Sequence, residues 1–331
     1  MKKQLLLFFA LFFLGNAYGQ QAVQYSLQPW NPYYYNTAYA GLDESLSMTG
    51  QFRKQWTGFA GSPLSFNFSA HLPINYINSG VGFMVEQDYR GLDGNAYTNT
   101  NFRFSYNYFI DLGEGKLSIG AAFRYLQKRV DGGAFRAPDG SYNTDSGIFD
   151  HNDGIIPLGV SQAQSATADF GIYYKNERLQ LGLSSNYLTE PILALNDQAV
   201  DHELRSRNYF LSGSYTFDLD GQGDWKLQPT VLLKTDLTKF QPELGVLAHY
   251  QDQFYGGINL RGYDSKSLDA VVLVMGWRLN KQLKMAYAYD LSISGLRNFN
   301  GGSHEIMLNY NLQEPIGREL PAKVIYNPRF L

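Results

Sequence analysis

The chain has 331 residues, with 27 Lys and Arg against 30 Asp and Glu, a formal net charge of −3 and no Cys. The absence of Cys excludes disulfide scaffolds, thiolate metal sites and thiol catalysis. The slightly acidic balance argues against nucleic acid as a partner, because nucleic-acid binders usually carry a basic excess. A mean hydropathy of −0.30 excludes a protein built of several apolar membrane-spanning helices.

The first residues have the pattern of a secretory signal peptide. Lys2 and Lys3 precede an apolar run from Leu5 to Leu14, which is too short to span a bilayer, and Ala17-Tyr18-Gly19 supplies small residues at a cleavage site. Residues 1–19 are therefore expected to be removed during export. The mature chain is expected to begin at Gln20.

From about residue 44, apolar and polar residues alternate, which is the pattern of half-buried strands. Residues 101–108, for example, read NFRFSYNY. About fourteen strands are predicted, most of them longer than the roughly five or six residues usual in globular proteins, and such lengths suit a tilted membrane crossing. The predicted strands are 44–54, 62–73, 79–89, 96–110, 115–129, 165–175, 178–188, 207–218, 224–236, 239–250, 253–263, 266–279, 282–293 and 302–312.

Short and long connections alternate along these strands. Residues 111–115 and 175–178 are short connections, whereas the two longest run from Val130 to Ser165 and from Thr189 to Ser206. Outer-membrane barrels have short periplasmic turns and longer external loops. The predicted fold is therefore all-β, a single antiparallel transmembrane β-barrel of the outer-membrane type over residues 44–312. Because the strand number is even, both termini are expected in the periplasm.

The alternation separates charged residues from apolar ones. An Arg or Lys facing lipid near the bilayer midplane costs about 2–4 kcal/mol, so the charged face is expected to line the lumen and the apolar face to contact outer-membrane lipid. A water-soluble β-sandwich would reverse this arrangement, but strand length, Tyr content and the signal peptide favour the barrel. The predicted lumen residues are Arg53, Arg103, Arg124, Lys128, Lys234, Arg261, Lys284, Glu86, Asp88, Asp169, Glu243, Asp269, Asp290 and Glu305.

Two places depart from this pattern. Pro229 lies inside a predicted strand, where the missing N–H indicates a bulge or a strand end. Residues 268–277 are largely apolar on both faces, so the pattern leaves their orientation open.

Two further segments flank the predicted barrel. Residues 20–43 are predicted to be a periplasmic segment or a plug inside the lumen, because fourteen strands fall between filled small barrels and open porins. Residues 313–331 are predicted to form a periplasmic tail that recruits a partner. Pro315, Pro321 and Pro328 are expected to keep this tail irregular.

Three stretches carry a family resemblance. The first joins residues 28–41, QPWNPYYYNTAYAG, to residues 51–63, QFRKQWTGFAGSP. The second joins residues 228–234, QPTVLLK, to residues 254–263, FYGGINLRGY, and the third, residues 286–308, reads AYAYDLSISGLRNFNGGSHEIML. Together they resemble the PorP/SprF family of type IX secretion system outer-membrane proteins.

This resemblance implies a fourteen-stranded outer-membrane barrel of Bacteroidota that assists export or surface attachment of a secreted client. The implied client is an adhesin-type protein with its own C-terminal sorting domain, and gliding motility is among the implied processes. The resemblance also implies a periplasmic partner, either a peptidoglycan-associated protein or the secretion ring. An outer-membrane porin or a channel for hydrophobic substrates is the alternative function.

The first motif supplies candidates for partner contact. In the functional interpretation these residues form a segment that docks a partner or plugs the barrel. In the structural interpretation they only lead the chain into the first strand, with Asn-Pro setting a turn. The candidates are Asn31, Pro32, Asn36, Tyr39, Ala40 and Gly41.

The second motif contributes Arg53, Gln55 and Trp56 as candidates for substrate contact. Their structural interpretation is anchoring, because Trp at a strand end is often an interfacial residue. Arg53 is then expected to pair with a carboxylate in the lumen.

The third motif contributes Gly302, Ser303, His304 and Glu305, which open the last predicted strand. Adjacent side chains on a strand point to opposite faces, so Ser303 and His304 are not expected to form a catalytic pair. The chain is expected not to be an enzyme, with no catalytic, cofactor-binding or metal-binding residues. Five Asp of residues 131–153 offer calcium-type ligands but lack EF-hand spacing, and an external contact surface is the preferred interpretation of this loop.

Overall fold

A computed structural model describes residues 23–91, 96–143, 147–152, 156–195, 202–220, 223–263 and 267–314. The predicted signal peptide and residues 315–331 of the predicted tail lie outside this part of the chain. No helix in the described part is both long and apolar enough to cross a membrane.

Strands dominate the described chain, as the two-residue periodicity predicts. They are β1 (Ser47–Lys54), β2 (Leu64–Ile74), β3 (Ser79–Arg90), β4 (Tyr97–Leu112), β5 (Gly115–Asp131), β6 (Ser141–Asn143), β7 (Ile148–Asp150), β8 (Val160–Lys175), β9 (Leu179–Asn186), β10 (Ile192–Ala194), β11 (His202–Leu204), β12 (Asn208–Tyr215), β13 (Phe217–Asp218), β14 (Trp225–Thr235), β15 (Phe240–Tyr250), β16 (Phe254–Tyr263), β17 (Ser267–Arg278), β18 (Leu283–Ser292) and β19 (Ser303–Asn311).

These strands form a closed 14-strand antiparallel β-barrel, which confirms the predicted fold class. The first and last strands, β1 and β19, are paired, and β12 pairs with β14 to complete the ring. Outside the wall, β6 pairs with β7 and β10 pairs with β11, so both long connections contain a short hairpin. The first of these connections is shorter than predicted, because β8 already begins at Val160.

The two ends of the barrel differ. Short connections such as residues 113–114 and 176–178 lie at the end where β19 finishes, which we call the turn end. The longest connections, from β5 to β8 and from β9 to β12, start and finish at the opposite end, which we call the loop end. The alternation of strand direction around the ring places every second connection at the same end.

The wall has an apolar outside and a polar inside. On β4, Phe104 is 55% exposed and faces outward, whereas the neighbouring Arg103 is buried in the lumen. The same alternation puts Phe123 outside and Arg124 inside on β5. An apolar outer surface of this kind is stable only against lipid or another apolar partner.

Residues 23–43, which we call the inner segment, run through the lumen. Three short helical turns, Gln28–Trp30, Pro32–Tyr35 and Thr37–Tyr39, give this segment its shape. Gln24 contacts Lys234 close to the loop end of β14. The described chain begins towards the loop end and finishes at the turn end, because the inner segment threads the lumen before β1. The two termini, which were expected together in the periplasm, lie outside the described residues.

Candidate functional site

The inner segment carries the first motif and contacts most of the lumen wall. Its residues Leu27, Tyr33, Ala38 and Ala40 have no exposed surface. The contacts fall into four levels, from the loop end to the turn end. The site is therefore described level by level, beginning with residues that the sequence motifs did not include.

Ser26 forms the first level, at the centre of a buried charge network. Its hydroxyl donates to Asp290 Oδ1 at 2.7 Å and accepts from Arg53 Nη1 and Arg261 Nη2, each at 2.9 Å. Arg53 and Arg261 both pair with Asp290 Oδ2 at 2.7 Å, and Arg261 also pairs with Glu243 at 2.8 Å. The hydroxyl thus joins β1, β16 and β18 to one point of the inner segment.

Glu305 completes this first level. Its two carboxylate oxygens accept the backbone N–H groups of Ser26 at 2.7 Å and Leu27 at 3.0 Å. Arg53 pairs with the same carboxylate at 3.1 Å, and Gln51 donates to it at 3.2 Å. Because a carboxylate that accepts several N–H donors is well satisfied even when buried, Glu305 fixes the backbone of the inner segment rather than a substrate.

An apolar patch lies beside this network. Leu27 packs with Val272, Val274 and other buried residues of the wall, and Trp30 packs against the same cluster. The inward side of β17 is therefore apolar because it faces an apolar part of the inner segment.

The second level is held by Arg103. Its guanidinium donates to the backbone oxygens of Tyr33 and Tyr34 and lies 4.5 Å from the ring centroid of Tyr33. The Tyr34 hydroxyl donates to Glu86 at 2.7 Å. Beside it, Arg124 and Asp169 form a buried ion pair at 2.6 Å. Arg103 and Glu86 are therefore the two wall charges of this level that bind the inner segment directly.

The third level contains Asn36, Ala38 and Ala40 of the first motif. Asn36 Nδ2 donates to Ile172 O at 3.0 Å, and its Oδ1 accepts from Ala38 N at 2.9 Å. Asn107 of β4 donates to Ala38 O at 3.1 Å and to Ala40 O at 2.8 Å. Hydrogen bonds of Asn36 and Asn107 thus join the backbone of the inner segment to β4 and β8 of the wall.

Glycines of the wall make this close approach possible. A Cβ atom on Gly80 would lie 2.2 Å from Ala40 O, and one on Gly120 would lie 2.8 Å from Ala38 Cα. A Cβ atom on Gly171 would lie 2.1 Å from Asn36 Oδ1. Glycine inside a strand often marks such an approach of another backbone.

The fourth level is the exit from the lumen at the turn end. Gly41 has a φ of +81° and donates its N–H to His71 Nδ1 at 3.1 Å. Tyr39 donates to Asp43 Oδ1 at 2.7 Å, and Lys175 pairs with the same carboxylate at 3.1 Å. Burial alone would raise the pKa of Asp43, but Lys175 and His71 outweigh it and hold this pKa below its ordinary value.

Asn31 and Pro32 lie between the first two levels. Asn31 Nδ2 donates to Gln51 Oε1 at 2.7 Å, and Pro32 begins the helical turn Pro32–Tyr35. Neither residue leads directly into β1, which starts at Ser47. All six candidates of the first motif thus lie in the lumen or at its exit.

The second and third motifs meet at the loop end. Arg53, Gln55, Trp56 and Ser303 line a cavity of about 140 Å³, which we call the outer cavity. Trp56 has a φ of 52°, and its N–H donates to Ser303 Oγ at 3.1 Å. The two motifs are therefore parts of one site, although they lie far apart in the sequence.

The remaining residues of the third motif have other contacts. Gly302 has a φ of +87°, and its carbonyl oxygen accepts from Thr57 N at 2.7 Å. His304 shares a hydrogen bond of 2.6 Å with Tyr287, whereas Ser303 contacts Trp56. Ser303 and His304 therefore have separate surroundings.

The acidic loop of residues 131–153 is described only in part, because Asp145 and Asp153 lie outside the described residues. Asp131 accepts from Gly133 N at 3.1 Å, and Asp150 accepts from Asn152 N at 2.9 Å. Within the described chain, no three acidic or His side chains are grouped as metal ligands.

Ser26, Asn107 and the inward glycines are among the site residues that the motifs do not reveal, as are Asp43, His71 and Lys175 at the exit. The inward glycines could have been found from the sequence, because Gly80, Gly120 and Gly171 interrupt predicted strands of bulky residues. Ser26 could not have been found in this way, because its partners Asp290 and Glu305 lie 264 and 279 positions away in the sequence.

The chain has distant similarity to several solved structures. The outer-membrane protein Omp33 of Acinetobacter baumannii is 5% identical, with a TM-score of 0.42 over 81% of this chain and 97% of that one. CdiB from Acinetobacter baumannii is 11% identical, with a TM-score of 0.44 over 80% and 60% of the two chains. A Pseudomonas aeruginosa FadL homologue is 11% identical, with a TM-score of 0.40 over 81% and 89%.

A comparison with curated proteins finds no match. A family model, described as the type IX secretion system membrane protein PorP/SprF, matches residues 17–310. This match spans the inner segment and nearly all of the barrel wall. The chain is therefore an outer-membrane β-barrel that belongs to the PorP/SprF family of type IX secretion system membrane proteins.

Proposed function

We propose that this protein assists the export or surface attachment of a secreted, adhesin-type client with a C-terminal sorting domain. The observation that carries the proposal is the packed lumen. Leu27, Tyr33 and Ala38 in the middle of the barrel have no exposed surface. A barrel whose interior is occupied by its own chain is better suited to holding a protein at its ends than to passing solutes.

The proposed orientation places the loop end outside the cell and the turn end in the periplasm, since external loops are the longer ones in outer-membrane barrels. Residue 23, where the described chain begins, then lies towards the exterior, and residues 312–314 after β19 lie on the periplasmic side. The periplasmic partner, a peptidoglycan-associated protein or the secretion ring, would bind at the turn end. No catalytic role is proposed, because Ser303 and His304 have separate partners.

A porin or a channel for hydrophobic substrates is the second candidate function. It is favoured by the strand number alone, since barrels with 16 to 18 strands leave an aqueous channel and those with about eight are filled. Liposomes containing the purified protein test it directly, because rapid swelling in small sugars would support a channel.

The main test is deletion of the gene in the source bacterium, with the intact gene returned as the control. Surface biotinylation and quantitative mass spectrometry then compare the exposed proteins. The expected result is the loss from the surface of a large protein with a C-terminal sorting domain and its recovery on complementation. An unchanged surface proteome together with slower solute uptake would favour the channel instead.

A further inference from the structure

The outer cavity has the features of a built binding site. Its lining includes residues of the β1–β2 and β18–β19 connections, such as Gln55, Trp56 and Ser294, so it opens at the loop end. Its floor is the buried charge network around Arg53 and Asp290. A concave site with a few convergent polar groups is the usual form of a specific binding pocket.

Two polar groups of this cavity that can accept hydrogen bonds lack partners in the described chain. Gln241 is 8% exposed and lines the cavity, but its side chain makes no hydrogen bond with the residues the structure describes. The half-buried carboxylate of Asp269 has no ion pair or hydrogen bond within the same residues. Buried polar groups are normally satisfied, so these groups point to a ligand.

Charge decides what kind of ligand fits. Both guanidinium groups of the floor already pair with carboxylates, Arg53 with Asp290 and Glu305 and Arg261 with Asp290 and Glu243, although Arg53 Nε itself has no partner in the described chain. Lys234 donates to Gln24. Three cations therefore face four carboxylates once Asp269 is counted, and the unbalanced negative charge lies at the cavity.

Trp56 adds a second feature. Its φ of 52° is unusual for a bulky residue, and such backbone conformations occur preferentially at ligand sites. Trp56 lines the cavity together with Asp269. An indole face attracts a cation, and the amides of Gln55 and Gln241 can accept its remaining N–H groups.

We infer that the outer cavity binds the guanidinium or ammonium group of an Arg or Lys side chain from a protein that docks at the loop end. The carboxylate of Asp269 compensates the charge, Trp56 covers one face of the group, and the side-chain oxygens of Gln55 and Gln241 accept hydrogen bonds. The inference rests on the proposed function for the identity of that protein, which would be the exported client. The binding chemistry itself is independent of it.

Peptide titration of the full-length mature protein in detergent micelles tests the chemistry. Acetyl-Gly-Arg-Gly-amide and its Lys counterpart should bind, and the citrulline peptide, which has the same shape without the charge, should bind about tenfold more weakly or not at all. Equal binding of the citrulline peptide would overturn the inference. Free spermidine and argininamide form a separate arm, and binding of these without binding of the peptides would overturn a protein origin of the cation.

Variants locate the binding site. Asp269→Asn should weaken binding of the Arg peptide about tenfold, and Trp56→Leu should weaken it while leaving the carboxylate in place. Asp139→Asn is the matched control, since Asp139 is an exposed carboxylate of the loop end that does not line the cavity. Retention of full affinity in both Asp269→Asn and Trp56→Leu would overturn the assignment.

An experiment in the source bacterium separates this inference from the proposed function. Asp269→Arg places a cation in the cavity and should reduce surface attachment of the client at an unchanged outer-membrane level of the barrel. If gene deletion removes the client from the surface but Asp269→Arg does not, the inference fails and the proposed function stands. If deletion itself leaves the client in place, the proposed function fails, and the peptide titration still decides the binding chemistry.

Discussion

At the scale of single residues, the inner segment is held by small residues, buried charges and side-chain amides. Gly80 allows Ala40 to approach the wall, and Ser26 places one hydroxyl between two guanidinium groups. Larger residues at either position would displace the backbone of the segment. The family motif N-T-A-Y-A-G and the Glu of G-S-H-E are therefore explained by packing and hydrogen bonding within the lumen, whereas His304 bonds Tyr287 on the other face of the wall.

Gly80→Ala tests this packing. The added Cβ would lie 2.2 Å from the backbone oxygen of Ala40, so the free energy of unfolding should fall by about 1–3 kcal/mol through overpacking. Gly256→Ala is the control, because a Cβ there meets nothing within 4 Å. Urea unfolding in detergent micelles, followed by Trp fluorescence, measures both variants. Equal midpoints for the two would show that the inner segment does not press against the wall.

At the scale of elements, β1, β16 and β18 are joined through one buried charge network. Arg53 and Asp290 are 2% and 3% exposed at their side chains, so neither charge is compensated by water. Removing one member of such a network leaves an unpaired buried charge, which is costly. Through the pair of Arg53 with Glu305, the network also links β1 to β19, the first and last strands of the barrel.

Arg53→Met should lower the free energy of unfolding by about 3–5 kcal/mol, because it leaves Asp290 with one guanidinium instead of two and Glu305 with none. Arg178→Met is the matched control, since Arg178 pairs with Asp218 at 3.2 Å on the surface. An exposed pair of this kind contributes about 0–1 kcal/mol. Chemical unfolding of both variants in the same micelles checks the difference, and similar losses would contradict the structural role of the network.

Much of the wall could be predicted from the sequence, because the two-residue period follows directly from burial on one face. At residues 268–277 the two-residue period could not predict which face points inward, because Val272 and Val274 are apolar residues that face the lumen. Their partner is Leu27 of the inner segment, and a local pattern cannot include a partner from another part of the chain. Tertiary contact, rather than lipid, explains the second apolar face.

Pro229 shows a second limit of sequence patterns. It was expected to end or bulge its own strand, and this was wrong, since β14 pairs with β15 through Pro229↔Val246 without a shift of register. The irregularity lies in the neighbouring strand instead, where β12 ends at Tyr215 and β13 begins at Phe217. Proline lacks an N–H, so the strand that would accept its hydrogen bond is the one interrupted.

At the scale of the whole molecule, the direction of the inner segment is the feature with the widest consequences. Val23 belongs to the buried core near the loop end, whereas Asp43 leaves the lumen at the turn end. An even strand number predicts only where the wall begins and ends. It does not predict that the chain before β1 crosses the barrel once more, and the site residues Asn31 to Gly41 have their positions because of that crossing.

Deletion of residues 23–43 should convert the packed barrel into an ion-conducting one, because the wall alone is wide enough to leave water in its lumen. The wild-type protein should show no stepwise current in planar lipid bilayers, and the deletion variant should show it, after circular dichroism confirms an intact β-barrel. Deletion of residues 137–152, which removes the β6–β7 hairpin from the loop end, is the control and should remain silent. If the folded variant without residues 23–43 carries no current, the wall side chains alone close the lumen. The packed inner segment would then not be what prevents conduction.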